Sequence, residues 1–206
     1  MNSIINYPGA KWGMAKQIVS MMPPHRSYLE PFFGSGAVLF NKPPSAIETV
    51  NDKDGDITNF FKVLRECPEK LAEAISLTPY SRDVFDDAHE NRGTESFDRA
   101  YRFAIRSRMG HGFKTYQKTG FKIDVYARER SYCVSCWNAM PERIFEAAAR
   151  LKGVQIENRP AIFFLNVRKA NTSLAASREH HLPKASITAP TAQHHLFKRS
   201  PTAPPG

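Results

Sequence analysis

The stretch Tyr28-Leu29-Glu30-Pro31-Phe32-Phe33-Gly34-Ser35-Gly36 constrains this chain more than any other. A short apolar segment runs into a proline turn and then into two glycines one residue apart. This predicts a strand ending in a loop that closely approaches another group. Gly34 and Gly36 can take positive φ and place no side chain between backbone and ligand, while Glu30 at the strand end can accept hydrogen bonds from a cationic or hydroxyl group. A Gly-Ser-Gly turn alone is compatible with an ordinary turn.

A second signal follows one unit later. The segment from Ala46 to Val50 predicts another strand, with Asn51-Asp52-Lys53-Asp54 at its carboxyl end and an amphipathic pattern beyond. An acidic residue about 20 positions past a glycine turn, at the tip of the next strand, is where α/β nucleotide folds hold ribose hydroxyls. Asp52 is therefore a candidate ribose ligand, whereas Asp54 suits the cap of the following helix.

Together with Tyr7-Pro8-Gly9-Ala10-Lys11, these segments resemble the amino half of the Dam-type DNA adenine methyltransferases, over about residues 1–160. That family carries an aromatic-x-Gly-Gly-Lys opening, an Asp/Glu-Pro-Phe-x-Gly-x-Gly loop and an Asp-x-Asn-type acid. Ala10 replaces the family's second glycine. The resemblance implies an α/β, Rossmann-like methyltransferase sheet that uses S-adenosyl-L-methionine on double-stranded DNA, as in restriction–modification. It assigns Tyr7, Lys11, Glu30, Phe32, Gly34, Gly36 and Asp52 to the cofactor, with Tyr7 stacked on its adenine.

Periodicity divides the chain into segments. Residues 1–77 form the expected cofactor subdomain. Ala15, Ile18, Val19 and Met22 make a helical stripe directed at the sheet, ended by Pro23-Pro24. Ile57, Phe60, Phe61 and Leu64 make another, read as core, and Pro68 opens the next helix. Residues 78–140 break the strand–helix alternation and are read as an inserted helical lobe. Phe97, Tyr101, Ala104 and Ile105 give its stripe, and residues 110–122 alternate basic and aromatic positions between glycines. That composition suits phosphate contact and base stacking, and equally a solvated hairpin. In the family the corresponding lobe recognises DNA, which selects Arg108, Lys114, Tyr116 and Lys118. Residues 141–167 are expected to return to the sheet.

Cys133 and Cys136 have CxxC spacing without a second pair, so no metal is expected and reduced thiols are assumed. No apolar run approaches the roughly 20 residues of a membrane span, and a cytoplasmic protein is expected. The net charge of +9 favours a polyanionic partner. Yet +5 of it lies beyond residue 160, so the globular part is only mildly basic.

The family's catalytic Asp-Pro-Pro-Tyr segment is not found in these 206 residues, in which Asp124 is the last aspartate. The adenine amino group is a poor nucleophile, because its lone pair is delocalised into the ring. A carboxylate and a carbonyl must accept its hydrogens while an aromatic ring stacks on the flipped base. The catalytic residues are thus unknown. Asn166, in the strand candidate 162–167, is a weak substitute. Residues 168–206, rich in Ser, Thr, Ala, Pro and His, are expected to be a disordered tail. The expectation is of a frame shift or truncation near residues 160–167, giving an incomplete sheet and doubtful activity. Rival readings are an inactive remnant that binds DNA or cofactor, and an unrelated small basic nucleic-acid-binding protein.

Overall fold

The computed structural model describes residues 1–112, 117–126 and 131–164; Lys114, Tyr116, Asn166 and the expected tail lie outside them. In chain order, α1 (Ala15–Ser20) precedes β1 (Ser27–Glu30), a 3₁₀ turn at Leu39–Asn41 and β2 (Ile47–Asn51). Then come α2 (Gly55–Glu66), α3 (Pro68–Ser76), α4 (Arg82–Glu90), α5 (Ser96–Met109), α6 (Tyr132–Asn138), α7 (Met140–Leu151) and β3 (Val154–Glu157).

The strands form one parallel sheet in the order β1-β2-β3, so the described chain is α/β. Tyr28 and Val154 flank Glu48, while Glu30 and Ile156 flank Val50. Parallel neighbours need crossover connections. All the helices from α2 to α7 fill the one between β2 and β3.

Local chemistry sets the helix starts. The Asp54 side chain accepts the Asp56 N–H and caps α2, Pro68 occupies the first turn of α3, and the Ser81 and Ser131 hydroxyls cap α4 and α6. The stripe on α2 is core, as read: Phe60 and Phe61 are fully buried. Their rings join Phe33 from the loop after β1 and Phe103 from α5, with centroids 4.7 Å apart for Phe33–Phe61 and 5.7 Å for Phe60–Phe103. The loop after β1 is thus anchored in the same apolar cluster as the helices.

One buried carboxylate ties sheet to helices. Glu48, on the covered face of β2, receives both guanidinium nitrogens of Arg150 from α7, at 2.5 and 2.8 Å, and the Lys42 ammonium at 2.6 Å. Burial opposes ionisation of Glu48, but these cations outweigh it and hold the carboxyl down to about 2.

Two expectations are corrected. α1 packs chiefly on the 3₁₀ turn at Leu39–Asn41, and only Ala15 of its stripe is fully buried. The described part of the strand candidate, residues 162–164, is helical, with Phe163 and Phe164 N–H groups donating back to the Pro160 and Ala161 carbonyls. A short apolar run carries no period, and here the turn opened by Pro160 decides its conformation. Helices α4 and α5, inside the segment read as a lobe, share the one core with α2.

Candidate functional site

The carboxyl ends of β1 and β2 are held together by Asn51, which is buried. Its side-chain amide donates to the Pro31 carbonyl and the Arg159 carbonyl, both at 2.9 Å, and its oxygen accepts the Arg159 N–H at 2.9 Å. The Phe33 N–H donates to the Asn51 carbonyl. The glycine loop is therefore fixed to the strand beside it before any ligand arrives.

Asp52 completes the clamp. Its Oδ2 accepts the Gly34 N–H at 2.7 Å and its Oδ1 accepts the Asp54 N–H at 2.9 Å. Charge-assisted bonds of this kind are short and strong, and each oxygen keeps lone-pair capacity for a ligand hydroxyl. Gly34, at φ 51°, lies against Tyr7: a Cβ there would stand 3.0 Å from Tyr7 Cδ1. Tyr7 is also held at its far end, where its hydroxyl donates to Asp54 Oδ2 at 3.2 Å.

Glu30 ends β1. Its Oε2 accepts the Tyr28 hydroxyl at 2.8 Å and the Leu39 N–H at 3.2 Å. Burial pushes the carboxyl up to about 7, against the pull of those two hydrogen bonds and with some help from the Asp52 charge. Lys11 Nζ donates to the Gly9 carbonyl at 2.6 Å, and Phe32 is largely exposed.

These groups converge on a cavity of about 390 Å³, lined among others by Tyr7, Lys11, Glu30, Phe32, Gly34 and Asp52. Gly36, expected beside them, does not line it. At φ 73°, a Cβ on Gly36 would stand 2.4 Å from Phe40 and 2.8 Å from Phe33, so this glycine admits two core rings. The cavity lies at the strand tips of a parallel sheet, the usual ligand position in open α/β folds, and its size suits a nucleoside-sized molecule. An aromatic face, a carboxylate beside a glycine turn and a lysine at the rim match the donor set for an adenosine with a charged amino-acid arm.

Of the four residues expected at DNA, Arg108 and Lys118 are among the described residues. Arg108, at the end of α5, donates to Asn6 Oδ1 and to the Ser3 carbonyl, both at 3.1 Å. Lys118 instead pairs with Asp86 and Glu90 on α4, at 3.1 and 3.7 Å. Gly110 and Phe121 form an isolated antiparallel bridge. Sequence reasoning missed Asn158, whose amide donates to the Asp52 and Lys53 carbonyls, and missed the stapling role of Asn51. Neither has a local signature, because their partners lie on distant segments.

Among the described residues no group of three or more His, Cys, Asp or Glu side chains converges as a metal site. No described helix is long and apolar enough to cross a membrane.

The chain is 33% identical over 91 residues to a DNA N-6-adenine-methyltransferase of Escherichia phage P1. That alignment covers 44% of this chain and 11% of the phage protein, so the chain spans a small part of its relative's length. Residues 7–177 match the family described as D12 class N6 adenine-specific DNA methyltransferase, a longer match than the motifs alone outline. With the family match spanning most of its length, the chain belongs to the D12 class N6 adenine-specific DNA methyltransferases.

Proposed function

We propose that this chain binds S-adenosyl-L-methionine in the cavity between Tyr7 and Asp52 and serves methylation of the adenine amino group in double-stranded DNA. The observation that carries the reading is the clamp at the cavity floor. One buried carboxylate, Asp52, receives the Gly34 and Asp54 amides while the Tyr7 ring lies over Gly34.

When bound, the cofactor supplies an electrophilic methyl group on its sulfonium. The roles of the chain's own residues follow from their positions. Tyr7 offers a ring face for the cofactor adenine, Asp52 accepts ribose hydroxyls, and Glu30 faces the cationic end. Lys11, Phe32 and the Gly34 backbone border the same space. Gly36 supports it from behind by admitting Phe33 and Phe40.

Residues 1–77 and 141–167 then form the cofactor part of a Rossmann-like fold, and residues 78–140 the target-recognition lobe of a cytoplasmic enzyme. No Asp-Pro-Pro-Tyr occurs in these 206 residues, so we infer that they bind cofactor without completing transfer unaided.

Calorimetry with S-adenosylhomocysteine and transfer of a radiolabelled methyl group to unmethylated duplex DNA test the reading on one preparation. Binding without transfer supports it. Transfer that disappears in Asp52→Ala would reveal a catalytic segment of another form, with Asn166 the first residue to substitute. No cofactor binding, with DNA binding that survives Tyr7→Ala and Asp52→Ala, would leave a small basic nucleic-acid-binding protein instead.

A further inference from the structure

A second recess lies on the other side of the amino-terminal segment. Tyr7 borders the cofactor cavity, and its neighbour Asn6 borders a cavity of about 230 Å³ lined also by Arg108, Lys122, Tyr132, Cys133 and Cys136. Tyr132 and Cys136 continue into an adjoining depression that contains Arg143. Three cations thus follow one short path along α6.

Their acceptors differ from those of six other arginines. Arg65, Arg99, Arg102, Arg106, Arg150 and Arg159 each sit within ion-pair distance of a carboxylate. Among the described residues Arg108, Lys122 and Arg143 do not. The Arg108 and Arg143 guanidinium groups both donate to one neutral acceptor, the Ser3 carbonyl, at 3.1 and 3.0 Å. Arg108 Nε is buried with no hydrogen-bond partner. Burial and the neighbouring Arg143 charge push the Arg108 guanidinium down to about 10.

No nearby carboxylate among the described residues closes an ion pair with the three, although the Lys122 charge helps hold Asp124 ionised. Asp124 accepts the Cys133 N–H at 2.7 Å and the Ser131 hydroxyl at 3.1 Å, at the start of α6. Glu142 and Glu146 flank Arg143 on its far side without closing an ion pair. Lys122 is held by its backbone, which donates to the Met109 carbonyl and accepts the Tyr80 hydroxyl, while its ammonium lies 5.5 Å from the Tyr132 ring centre. Converging cations with an unmet donor, at a cavity large enough for one tetrahedral anion, are the chemistry of a phosphate site.

We propose that Arg108, Lys122 and Arg143 form a seat for a backbone phosphate of DNA, with Tyr132 on its rim. The proposal rests on the methyltransferase reading, which supplies the polyanion and explains why the seat adjoins the cofactor cavity. Phosphate contacts fix register without reading sequence, so this seat positions the duplex.

Fluorescence anisotropy of the full chain with a short labelled duplex, across a salt series, tests it through Lys122→Gln and Arg143→Gln. Each variant is expected to bind about threefold to tenfold more weakly, with the salt slope reduced by about one. Calorimetry with S-adenosylhomocysteine should match the parent chain, which also shows that the variants fold. Lys122→Gln removes a ring contact and the pull of its charge on Asp124, breaks no side-chain hydrogen bond among the described residues, and keeps the test valid if Arg143→Gln loosens the amino terminus. Unchanged affinity and slope in both variants would overturn the seat and leave the cofactor reading standing. An inorganic-phosphate competition that weakens with Lys122→Gln, while duplex binding does not, would overturn DNA as the source of the phosphate. A parent chain that binds neither cofactor nor duplex would sink both readings.

Discussion

Tyr7 and Asp54 meet across 47 residues of sequence, the phenolic hydroxyl donating to the carboxylate that caps α2. The same tyrosine ring rests over Gly34, so one side chain links the opening segment, the glycine loop and the helix after β2. Replacing Tyr7 with Ala should weaken S-adenosylhomocysteine binding by roughly tenfold or more, through loss of the stacking face. Tyr7→Phe keeps the face and drops one hydrogen bond, for a loss of about threefold. Isothermal calorimetry separates the two, and equal losses would mean that the hydroxyl rather than the ring is what matters.

Gly34 and Gly36 should respond differently to alanine. At Gly36 the added methyl meets Phe40 and Phe33, so the cost falls on the core, about 1–3 kcal/mol of stability by denaturant titration. At Gly34 it meets the edge of Tyr7, so the first casualty is the ring's position and hence cofactor affinity. A Gly36→Ala chain with parental stability and lost binding would contradict this division.

Glu48 makes the fold sensitive to acid. Its carboxyl is held near 2, below the ordinary 4.5, so its stabilising contribution is full above about 4.5 and disappears as pH falls through about 2. Glu48→Gln leaves Lys42 and Arg150 without their counter-charge and should cost about 3–5 kcal/mol at neutral pH. Urea melts across acidic pH would show the parent losing stability over that window, with the variant already low and its profile flatter.

Glu30 acts in the opposite sense. Held up to about 7, it keeps its proton in the fold after an unfolded chain has released one, so its contribution is full below about 4.5 and lost as pH rises through about 7. A cationic ligand prefers the ionised form. Affinity for S-adenosylmethionine should therefore rise across neutral pH, and Glu30→Gln should flatten that rise. A parental profile in the variant would place the titrating group elsewhere.

The elements of residues 1–77 were legible where their signals are local. The β1 loop, the β2 strand, the Asp54 cap and the Pro68 helix start each lie within a few residues of the pattern that announces them. The contacts that fix the site are not local. Asn51 with Arg159, Glu48 with Arg150 and Asn158 with Asp52 join residues more than 100 positions apart, and an asparagine or glutamate in sequence carries no mark of such a partner. Arg106 shows the same limit: an arginine on an amphipathic helix suits a solvated face, yet this one is buried, donating to the Ala88 carbonyl and lying near Asp56. Residues 162–164 failed for another reason, since four or five apolar residues suit a strand or a turn equally and only the neighbouring proline separates them.

The double grip of Asn51, on Pro31 in the glycine loop and on Arg159 beyond β3, joins three segments through one side chain. Losing that amide would leave the Pro31 carbonyl and both backbone groups of Arg159 without these partners, so the glycine loop and the exit from β3 would loosen together.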